Sequence, residues 1–474
     1  MIVIRLHEPA IAQSSYMIGC AAAGEAIVID PTRDIGRYID TAAREELRIA
    51  HVTETHIHAD FLSGARELAQ RTGAKLHLSD EGDNDWKYQF AAEGTSIRSG
   101  DRIVVGHVEV DVTATPGHTP EHLTFLITDR AAADQPIAAV TGDFIFVGDV
   151  GRPDLLERAA NIRGTMEQAA RTLWRSLQAF NKNPDWLQIW PGHGAGSACG
   201  KGISEVPYST LGYERRFNWA FRVPDEDAFV AEVLADQPEP PKYFATMKHL
   251  NKAGPRILGG FTAPTLLVDQ ALHDLLARGA VIVDTRSEGE YASEHLPGTL
   301  NIPLNRSFVT WAGWLLPYDA DLYFVIDDLA ESHRIELVRQ LALIGLDRVA
   351  GVFGADAVRR AAARGAALET VPQITVSELA RHVTANDVHV VDVRSENEWR
   401  SGHIATAQHV PLGYLLDRLN EIPIDRPVIV HCQAGKRSAI AASLLKRAGR
   451  RGVVNLTGGM DAWIEAGQSV TRGS

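Results

Sequence analysis

Cysteine is scarce in this sequence. Only Cys20, Cys199 and Cys432 occur among 474 residues, and their number is odd. Three thiols so far apart argue against a disulfide scaffold and favour a reducing compartment, so we expect a cytoplasmic protein. Positively charged residues are also fewer than negatively charged ones. The chain has 47 Lys and Arg and 60 Asp and Glu, which gives a net charge of −13. This balance, without a long basic run, argues against nucleic acid as a partner.

Long hydrophobic runs are missing as well. No apolar stretch approaches the roughly 18–20 residues that a membrane-spanning helix needs, so we expect no membrane partner. The start of the chain reads as an alternating strand and lacks a basic segment followed by a hydrophobic one. We therefore expect no signal peptide.

The residues that are present favour several α/β domains. Hydrophobic residues make up 45% of the chain, and its length favours about three domains. β-Rich runs alternate with helical stretches in the first half, which predicts one domain over 1–245. Proline and glycine then concentrate, which predicts a linker over 246–260. Strand-like runs occur at 26–30, 108–115, 122–128 and 137–143, and "SGARELAQRTG" (63–73) predicts a helix capped by Ser63 and ended by Gly73.

An internal repeat follows the linker. "DTRSEGEYASEH" begins at Asp284 and "DVRSENEWRSGH" begins at Asp392, with Asp, Arg, Ser, two Glu, an aromatic residue and His at the same offsets. Each copy follows a β-branched run and precedes another strand-like run, which is typical of a domain with a parallel sheet. The repeat therefore predicts two α/β domains, over 261–370 and 371–474.

Histidine and aspartate follow strand-like runs in the N-terminal domain. "ETHIHADFLSG" carries His56, His58 and Asp60, and later come "TPGHT" with His118, "TGDFIF" with Asp143 and "WPGHGAG" with His193. Glycine near these residues lets the backbone approach closely. Imidazole and carboxylate groups on loops at strand ends are what a metal site requires, so the four segments predict one. Five other histidines lack such neighbours and are expected to be structural, namely His7, His51, His77, His107 and His122.

The four segments resemble the metallo-β-lactamase fold, over roughly residues 1–240. That resemblance implies an αββα sandwich, and in the hydrolases of this fold the pattern HxHxDH binds two zinc ions. Phe61 stands where the last histidine would serve the second metal. This favours a single metal held by His56, His118 and Asp143. Two imidazoles and a carboxylate are the ligands of non-haem Fe(II) oxygenases, whereas zinc is the default metal of a hydrolase.

The persulfide dioxygenases of this superfamily offer a closer resemblance, because "GRPD" (151–154) matches an element of that family. By this resemblance, Arg152 orients the metal site or binds substrate, and Asp154 holds Arg152. An ordinary arginine–aspartate surface turn is the alternative. Three further residues are expected to orient the metal ligands by hydrogen bonds, namely His58, Asp60 and His193. Cys199, in "GHGAGSACGKG", either carries a persulfide between sites or simply packs in a glycine-rich loop.

A cysteine ends an apolar strand in "PVIVHCQAGKRSAIAASLLKRAG" (427–449), and a helix is predicted to begin at Ser438. A short loop there can turn its N–H groups and a helix N-terminus toward the sulfur of Cys432, which favours a thiolate or persulfide. Gly435 permits the tight turn, and Arg437 is expected to stabilise the negative charge. The loop residues expected to hold the sulfur are Gln433, Ala434, Gly435, Lys436 and Ser438.

This loop and the closing "LTGGMDAW" resemble the rhodanese sulfurtransferases over 372–471. In that family the cysteine, here Cys432, accepts a sulfane sulfur and gives it to a nucleophile. A phosphatase, with a longer loop, is the alternative for this domain. The first copy has Asp327 at the place of the cysteine, Ala330 for the glycine and Ser332 for the arginine. We therefore expect a degenerate, inactive rhodanese-like domain over 261–370.

The whole chain resembles a bacterial fusion of a persulfide dioxygenase, a degenerate rhodanese and an active rhodanese. This resemblance implies one Fe(II) per chain and the oxidation of a low-molecular-weight thiol persulfide by O2 to sulfite and thiol. The rhodanese step would then give thiosulfate. Glutathione, coenzyme A and bacillithiol stay open as the thiol, and an assembly of identical chains is expected.

Two alternatives belong to other classes. One is a zinc-dependent thioester hydrolase of the glyoxalase II kind joined to a sulfurtransferase, which metal analysis would separate from the iron enzyme. The other is a non-catalytic sulfur carrier or sensor. The intact metal ligands and the intact loop around Cys432 argue against the second alternative.

Overall fold

The structure is a computed structural model that describes residues 1–155 and 164–473. The chain divides into two compact units. The first comprises residues 1–261 and 339–345, and the second comprises residues 262–338 and 346–474. Among the described residues, no helix is both long enough and apolar enough to cross a membrane.

Two mixed sheets form the centre of the first unit. Their strands are β1 (Ile2–Glu8), β2 (Gln13–Cys20), β3 (Glu25–Ile29), β4 (Arg48–Thr53), β5 (Lys75–Ser79), β6 (Thr95–Ile97), β7 (Arg102–Val105), β8 (Val108–Ala114), β9 (Leu123–Asp129), β10 (Ala138–Gly142), β11 (Gln188–Pro191) and β12 (Ser209–Thr210). The sheet orders are β1-β2-β3-β4-β5-β6 and β12-β11-β10-β9-β8-β7. Strands β2 and β10 are buried along their whole length, because both faces of these inner strands are covered.

Helices cover the outer faces of the two sheets. They are α1 (Gly36–Arg44), α2 (Ala65–Thr72), α3 (Met166–Phe180), α4 (Leu211–Phe217), α5 (Glu226–Leu234) and α6 (Tyr243–Ala253). Tyr16 and Phe125 belong to the core between the sheets. Tyr38 and Leu68 pack with the first sheet on its other side, and α3 packs on the second sheet. These layers confirm the predicted αββα sandwich.

The second unit contains two parallel sheets. Their strands are β13 (Val281–Asp284), β14 (Leu300–Asn301), β15 (Leu322–Ile326), β16 (Val349–Gly354), β17 (Gln373–Ile374), β18 (His389–Asp392), β19 (Gln408–His409), β20 (Val428–His431) and β21 (Val453–Leu456). The orders are β14-β13-β15-β16 and β17-β21-β20-β18-β19. The helices are α7 (Asp269–Ala277), α8 (Glu288–Ser293), α9 (Phe308–Leu315), α10 (Glu331–Leu343), α11 (Asp356–Ala363), α12 (Val376–Ala385), α13 (Glu396–Ser401), α14 (Lys436–Arg447) and α15 (Gly459–Glu465). The predicted parallel α/β architecture is confirmed.

The repeated sequence motif has a structural reason. In each copy a strand ends at the aspartate, and the arginine two residues later bonds back to it, as Arg394 does to Asp392 at 2.7 Å. The serine and the second glutamate then form a capping box at the start of α8 and α13. Such a box satisfies the free N–H groups of the first helical turn. The motif therefore builds the same strand–turn–helix corner twice.

Three local predictions differ from the structure. Helix α2 begins at Ala65 rather than at Ser63, whose hydroxyl accepts a hydrogen bond from the Ala65 amide, although Gly73 does end the helix in a left-handed conformation. Helix α14 begins at Lys436, two residues before Ser438, because Gly435 already adopts a left-handed turn at its N-terminus. Part of the segment predicted as a linker lies in α6.

Candidate functional site

Strand ends bring the predicted metal-binding residues together in the first unit. His56 follows β4, His118 lies between β8 and β9, Asp143 follows β10 and His193 follows β11. Gly151 and Gly192 pack closely against Asp143. A Cβ added to Gly151 would lie 1.7 Å from the Asp143 carbonyl oxygen, and one added to Gly192 would lie 2.9 Å from Asp143 Oδ1. These two glycines therefore permit the close approach of their backbones that the site requires.

His56, His118 and Asp143 form one group of possible metal ligands, with one donor atom of each within 4.8 Å of the others. The Nε2 atoms of His56 and His118 lie 4.0 and 3.6 Å from Asp143 Oδ2. All three side chains are buried. Neither Oδ atom of Asp143 has a hydrogen-bond partner among the described residues. A buried carboxylate without a partner is costly unless a cation lies beside it, so these residues fit a metal ion.

His56 and His118 turn an unprotonated Nε2 toward Asp143. His118 Nδ1 donates to the carbonyl of Arg152 at 3.0 Å. The hydroxyl of Thr55 donates to Asp30, so it can accept a hydrogen bond from His56 Nδ1 at 2.9 Å. These outer partners hold both rings in the tautomer whose Nε2 is free to bind metal.

The electrostatics of the group agree with a cation site. Burial, together with the other histidines, lowers the pKa of His56 well below its usual value, and burial also lowers the pKa of His118. Both rings are therefore neutral and able to donate a lone pair. Burial works to raise the pKa of Asp143, but His193 and His118 outweigh it and lower that pKa.

His58 lies near His56, with ring centroids 4.2 Å apart, but its Nε2 bonds to Asp30. This Nε2 lies 3.1 Å from Asp30 Oδ1. Burial works to lower the pKa of His58, but three carboxylates outweigh it and raise that pKa to about 9, namely those of Asp30, Glu54 and Asp60. The completely buried ring of Phe61 contacts His58, with ring centroids 4.4 Å apart. The hydrogen bond to Asp30 therefore fixes the loop after β4, and His58 is not a member of the ligand group.

Asp60, His193 and Cys199 form a second group of possible metal ligands, also with donor atoms within 4.8 Å of one another. His193 Nε2 lies 3.3 Å from Asp60 Oδ2 and 3.4 Å from Asp143 Oδ1. Cys199 is buried. Burial, with the Asp60 and Asp143 carboxylates, raises the pKa of Cys199 well above its usual value.

Arg152 connects two parts of this region. Its guanidinium donates two hydrogen bonds to Asp154, at 2.9 and 2.7 Å, and both side chains are buried. A third bond, at 3.0 Å, reaches the carbonyl of Ala198 in the loop of Cys199. Since the Arg152 carbonyl also accepts the bond from His118, this residue ties one metal ligand to that loop. The surface turn considered as an alternative does not describe a pair so deeply buried.

Two buried residues near the metal group were missed from the sequence. His122 Nε2 accepts a hydrogen bond from the Asp143 amide at 3.2 Å, and its Nδ1 lies 2.9 Å from the Thr115 hydroxyl. Asp30 bonds to Thr55 and His58. The spacing of His122, four residues after His118, and the position of Asp30 at the end of a strand-like run were the available signals.

The loop after β20 surrounds the sulfur of Cys432 in the second unit. Sγ accepts hydrogen bonds from the Gly435 amide at 3.2 Å and from the Ser438 hydroxyl at 3.5 Å. Gly435 has a φ of +91°, a conformation that favours glycine. Helix α15 also binds this loop, because its Met460 amide donates a hydrogen bond to the Cys432 carbonyl at 2.8 Å.

The remaining loop residues differ in exposure and partners. Gln433 Oε1 accepts from Arg394 at 3.0 Å, and its Nε2 donates to Asp461. Ala434 and Lys436 are exposed. Arg437 binds Glu398 through two hydrogen bonds and also interacts with Cys432. The sequence showed Glu398 only as part of the repeated motif, so its contact with Arg437 was missed.

The corresponding corner of the first repeat is acidic. A cavity of about 580 Å³ is lined there by residues that include Asp327, Asp328 and Glu290, with Lys436 at its edge. Burial and then Glu290 raise the pKa of Asp327. No thiol lies at this corner, because Asp327 occupies the position after β15 that Cys432 occupies after β20.

Comparison with known proteins agrees with these sites. The model of the metallo-beta-lactamase superfamily matches residues 9–193, and the model of the rhodanese-like domain matches residues 375–466. The crystal structure of a metallo-beta-lactamase from Staphylococcus aureus subsp. aureus COL is 38% identical, covers 75% of this chain and 99% of its own, and has a TM-score of 0.67.

Two relatives are each similar over about 200 residues. Human mitochondrial persulfide dioxygenase ETHE1 is 28% identical over 199 residues, which are 40% of this chain and 66% of that protein. The hydroxyacylglutathione hydrolase of Rhodospirillum rubrum is 27% identical over 197 residues, 41% of this chain and 67% of that protein. The chain thus spans about two thirds of the length of each relative.

A metal-binding αββα sandwich followed by a cysteine-containing parallel domain defines the class. The chain belongs to the metallo-β-lactamase superfamily and ends in a rhodanese-like domain. The predicted fusion of these two folds is therefore confirmed. Both domains indicate an enzyme, and the first one indicates a bound metal.

Proposed function

We propose that this protein oxidises a low-molecular-weight thiol persulfide with O2 at one Fe(II) ion and converts the product to thiosulfate. The observation that carries the proposal is the donor set of His56, His118 and Asp143 in the same chain as an intact Cys432 loop. Two imidazoles and one carboxylate leave coordination positions open, which is the arrangement of non-haem Fe(II) oxygenases. Bound iron would supply the reactivity toward O2 that protein side chains lack.

The side chains of the first unit contribute position and electrostatics. His118 and His56 would hold the metal through Nε2, fixed by the bonds that their Nδ1 atoms make. Burial of the group excludes water, which strengthens each charge interaction there. The overall change is R–S–SH + O2 + H2O → R–SH + sulfite + two protons.

The second unit would use Cys432 as a nucleophile. Its sulfur attacks the outer sulfur of a persulfide, R–S–SH, so that a cysteine persulfide forms and R–S⁻ leaves. Sulfite then attacks that outer sulfur, thiosulfate forms and the Cys432 thiolate is restored. The Gly435 amide and the Ser438 hydroxyl stabilise the negative charge on sulfur.

A zinc-dependent thioester hydrolase is the second candidate, because the similarity to a hydroxyacylglutathione hydrolase nearly equals that to a persulfide dioxygenase. The position of Phe61 favours the dioxygenase. In the hydrolases of this fold a histidine at that position binds a second zinc, and here a buried phenyl ring lies against His58. The cytoplasmic location, the assembly of identical chains and the identity of the thiol stay predictions.

Metal analysis after anaerobic purification tests the proposal, followed by oxygen uptake with a panel of persulfides. The dioxygenase requires iron in the His56 group and oxygen uptake that depends on persulfide. Zinc in that group, thioester hydrolysis and no oxygen uptake would instead establish the hydrolase.

A further inference from the structure

The two histidines of the ligand group lie on different sheets of the sandwich. His56 follows β4 of the first sheet, and His118 lies between β8 and β9 of the second. Pairing within one sheet cannot fix the distance between the two rings, so contacts between their loops must do so. We propose that Glu121 is a positioning residue, which holds the His56 segment against the His118 loop through a hydrogen bond and so sets the geometry of metal binding. The inference depends on the His56 group as the metal site, and not on the reaction proposed for the metal.

The side chain of Glu121 reaches from one ligand-bearing loop to the other. Glu121 lies three residues after His118, and its Oε1 accepts a hydrogen bond from the Ile57 amide at 2.8 Å. Ile57 directly follows His56, so this bond lies one residue from a ligand. The Ile57 side chain is buried in the apolar cluster of the first sheet. Ile57 is therefore held by its side chain within that cluster and by its amide at Glu121.

The burial of Glu121 makes this bond the reason for a carboxyl group at position 121. The side chain is 0% exposed, and its Oε2 has no hydrogen-bond partner among the described residues. Burying such a group costs free energy, which the bond at Oε1 offsets in part. An apolar side chain would avoid that cost, so the Ile57 amide accounts for the residue type.

The backbone around Glu121 joins the same two sheets. Its carbonyl accepts a hydrogen bond from the Ser79 hydroxyl at 2.6 Å, at the end of β5. The Leu123 amide donates to the Thr55 carbonyl at 2.7 Å. Neither bond involves the Glu121 side chain, so a substitution at this position removes only the bond next to His56. Such a variant therefore tests the geometry of the ligands separately from the contact between the sheets.

Three variants separate the hydrogen bond from charge and from packing. Burial raises the pKa of Glu121 to about 7, so a neutral side chain is a fair substitute near neutral pH. Glu121→Gln keeps an oxygen that can accept from the Ile57 amide, whereas Glu121→Met has nearly the same length and no comparable acceptor. Ser79→Ala is the matched control, because it removes a buried bond to the carbonyl of the same residue at a strand end without a ligand.

Binding of Co²⁺ to the full-length apoprotein measures the effect, because the visible absorption of Co²⁺ reports the geometry of its ligands. His118→Ala identifies the bands that belong to the His56 group. In Glu121→Met we expect these bands to shift and Co²⁺ to bind about tenfold more weakly in competition with a chelator. Glu121→Gln and Ser79→Ala should keep the wild-type bands and affinity.

Two results would overturn the inference. One is an unchanged spectrum and affinity in Glu121→Met. The other is an equal change in Ser79→Ala, since general contact between the sheets, and not the bond to Ile57, would then set the geometry. Glu121→Asp provides a second variant if the methionine variant does not fold, because its carboxylate is one methylene too short to reach the amide. It should show the same shifted bands, and wild-type bands in Glu121→Asp would also contradict the proposal.

Discussion

The guanidinium of Arg437 binds the carboxylate of Glu398 through two hydrogen bonds, with Nη1 2.7 Å from Oε2 and Nη2 2.5 Å from Oε1. This pair joins the loop around Cys432 to α13. Burial works to raise the pKa of Glu398, but Arg437 outweighs it and lowers that pKa to about 2. The arginine expected to stabilise charge on the sulfur is therefore also held by a carboxylate, which fixes its position.

The effect of this pair on stability should depend on pH. The Glu398 carboxyl titrates near 4.5 without its partners and near 2 in the fold. Because the folded pKa is the lower one, the stabilisation is complete above about pH 4.5 and is lost as the pH falls toward 2. We expect Glu398→Gln to lower the free energy of unfolding at pH 7 by on the order of 1 kcal/mol, since the pair is partly exposed.

Denaturant unfolding of both proteins between pH 7 and pH 3 measures this difference. Glu396→Gln is a suitable control, because its carboxylate binds Arg400 on the surface of the same helix. A difference between Glu398→Gln and wild type that stays constant down to pH 3 would contradict the assignment.

Gly459 should be essential for the shape of the sulfur-binding loop. A Cβ at this position would lie 2.3 Å from the Cys432 carbonyl and 2.7 Å from the Gln433 carbonyl. We expect Gly459→Ala to lower thiosulfate sulfurtransferase activity more than tenfold, a loss of roughly 1.4 kcal/mol or more in the transition state.

Gly467 offers the matched control for that variant. It also has a positive φ, of +70°, but nothing lies within 4 Å of its added Cβ. Gly467→Ala should therefore cost only about 1 kcal/mol of stability for the left-handed backbone and keep its activity. Equal activity losses in the two variants would show that backbone strain, and not the contact with the loop, is responsible.

The His56 group should hold the iron independently of sulfur transfer. His118→Ala removes one imidazole from a set of three ligands, so we expect it to lose iron and oxygen uptake while thiosulfate-dependent sulfur transfer continues. Iron analysis and the two activity assays measure this, with His107→Ala as a control outside the site. Full iron occupancy in His118→Ala would remove that residue from the ligand set.

The sequence singled out the segments that carry the candidate metal ligands because each lies after an apolar strand. His56, Asp143 and His193 follow β4, β10 and β11, and strand ends in one sheet or in two packed sheets meet at one edge. The loop around Cys432 was predictable for a similar reason, since one short segment contains the strand, the glycine and the helix start. Local patterns of this kind need no knowledge of distant contacts.

Other parts of the site depend on contacts between distant segments. Cys199 lies near Asp60 on a loop that Asp149 and Arg152 hold by hydrogen bonds. His122 acts through the Asp143 amide, a contact that sequence spacing does not reveal. Such relations come from tertiary packing, so residue type and local pattern alone could not predict them.

The ratio of sulfite to thiosulfate formed from a fixed amount of persulfide shows whether the rhodanese-like domain takes part in turnover. With Cys432→Ser, oxygen uptake should continue, because the metal ligands are unchanged, and sulfite should accumulate in place of thiosulfate, since a hydroxyl cannot hold the sulfane sulfur as a thiolate can. Asp327→Ala should leave the ratio as in wild type, because the first repeat has no thiol at that position. A ratio that is unchanged in Cys432→Ser would contradict the account, since the rhodanese-like domain would then take no part in forming the product.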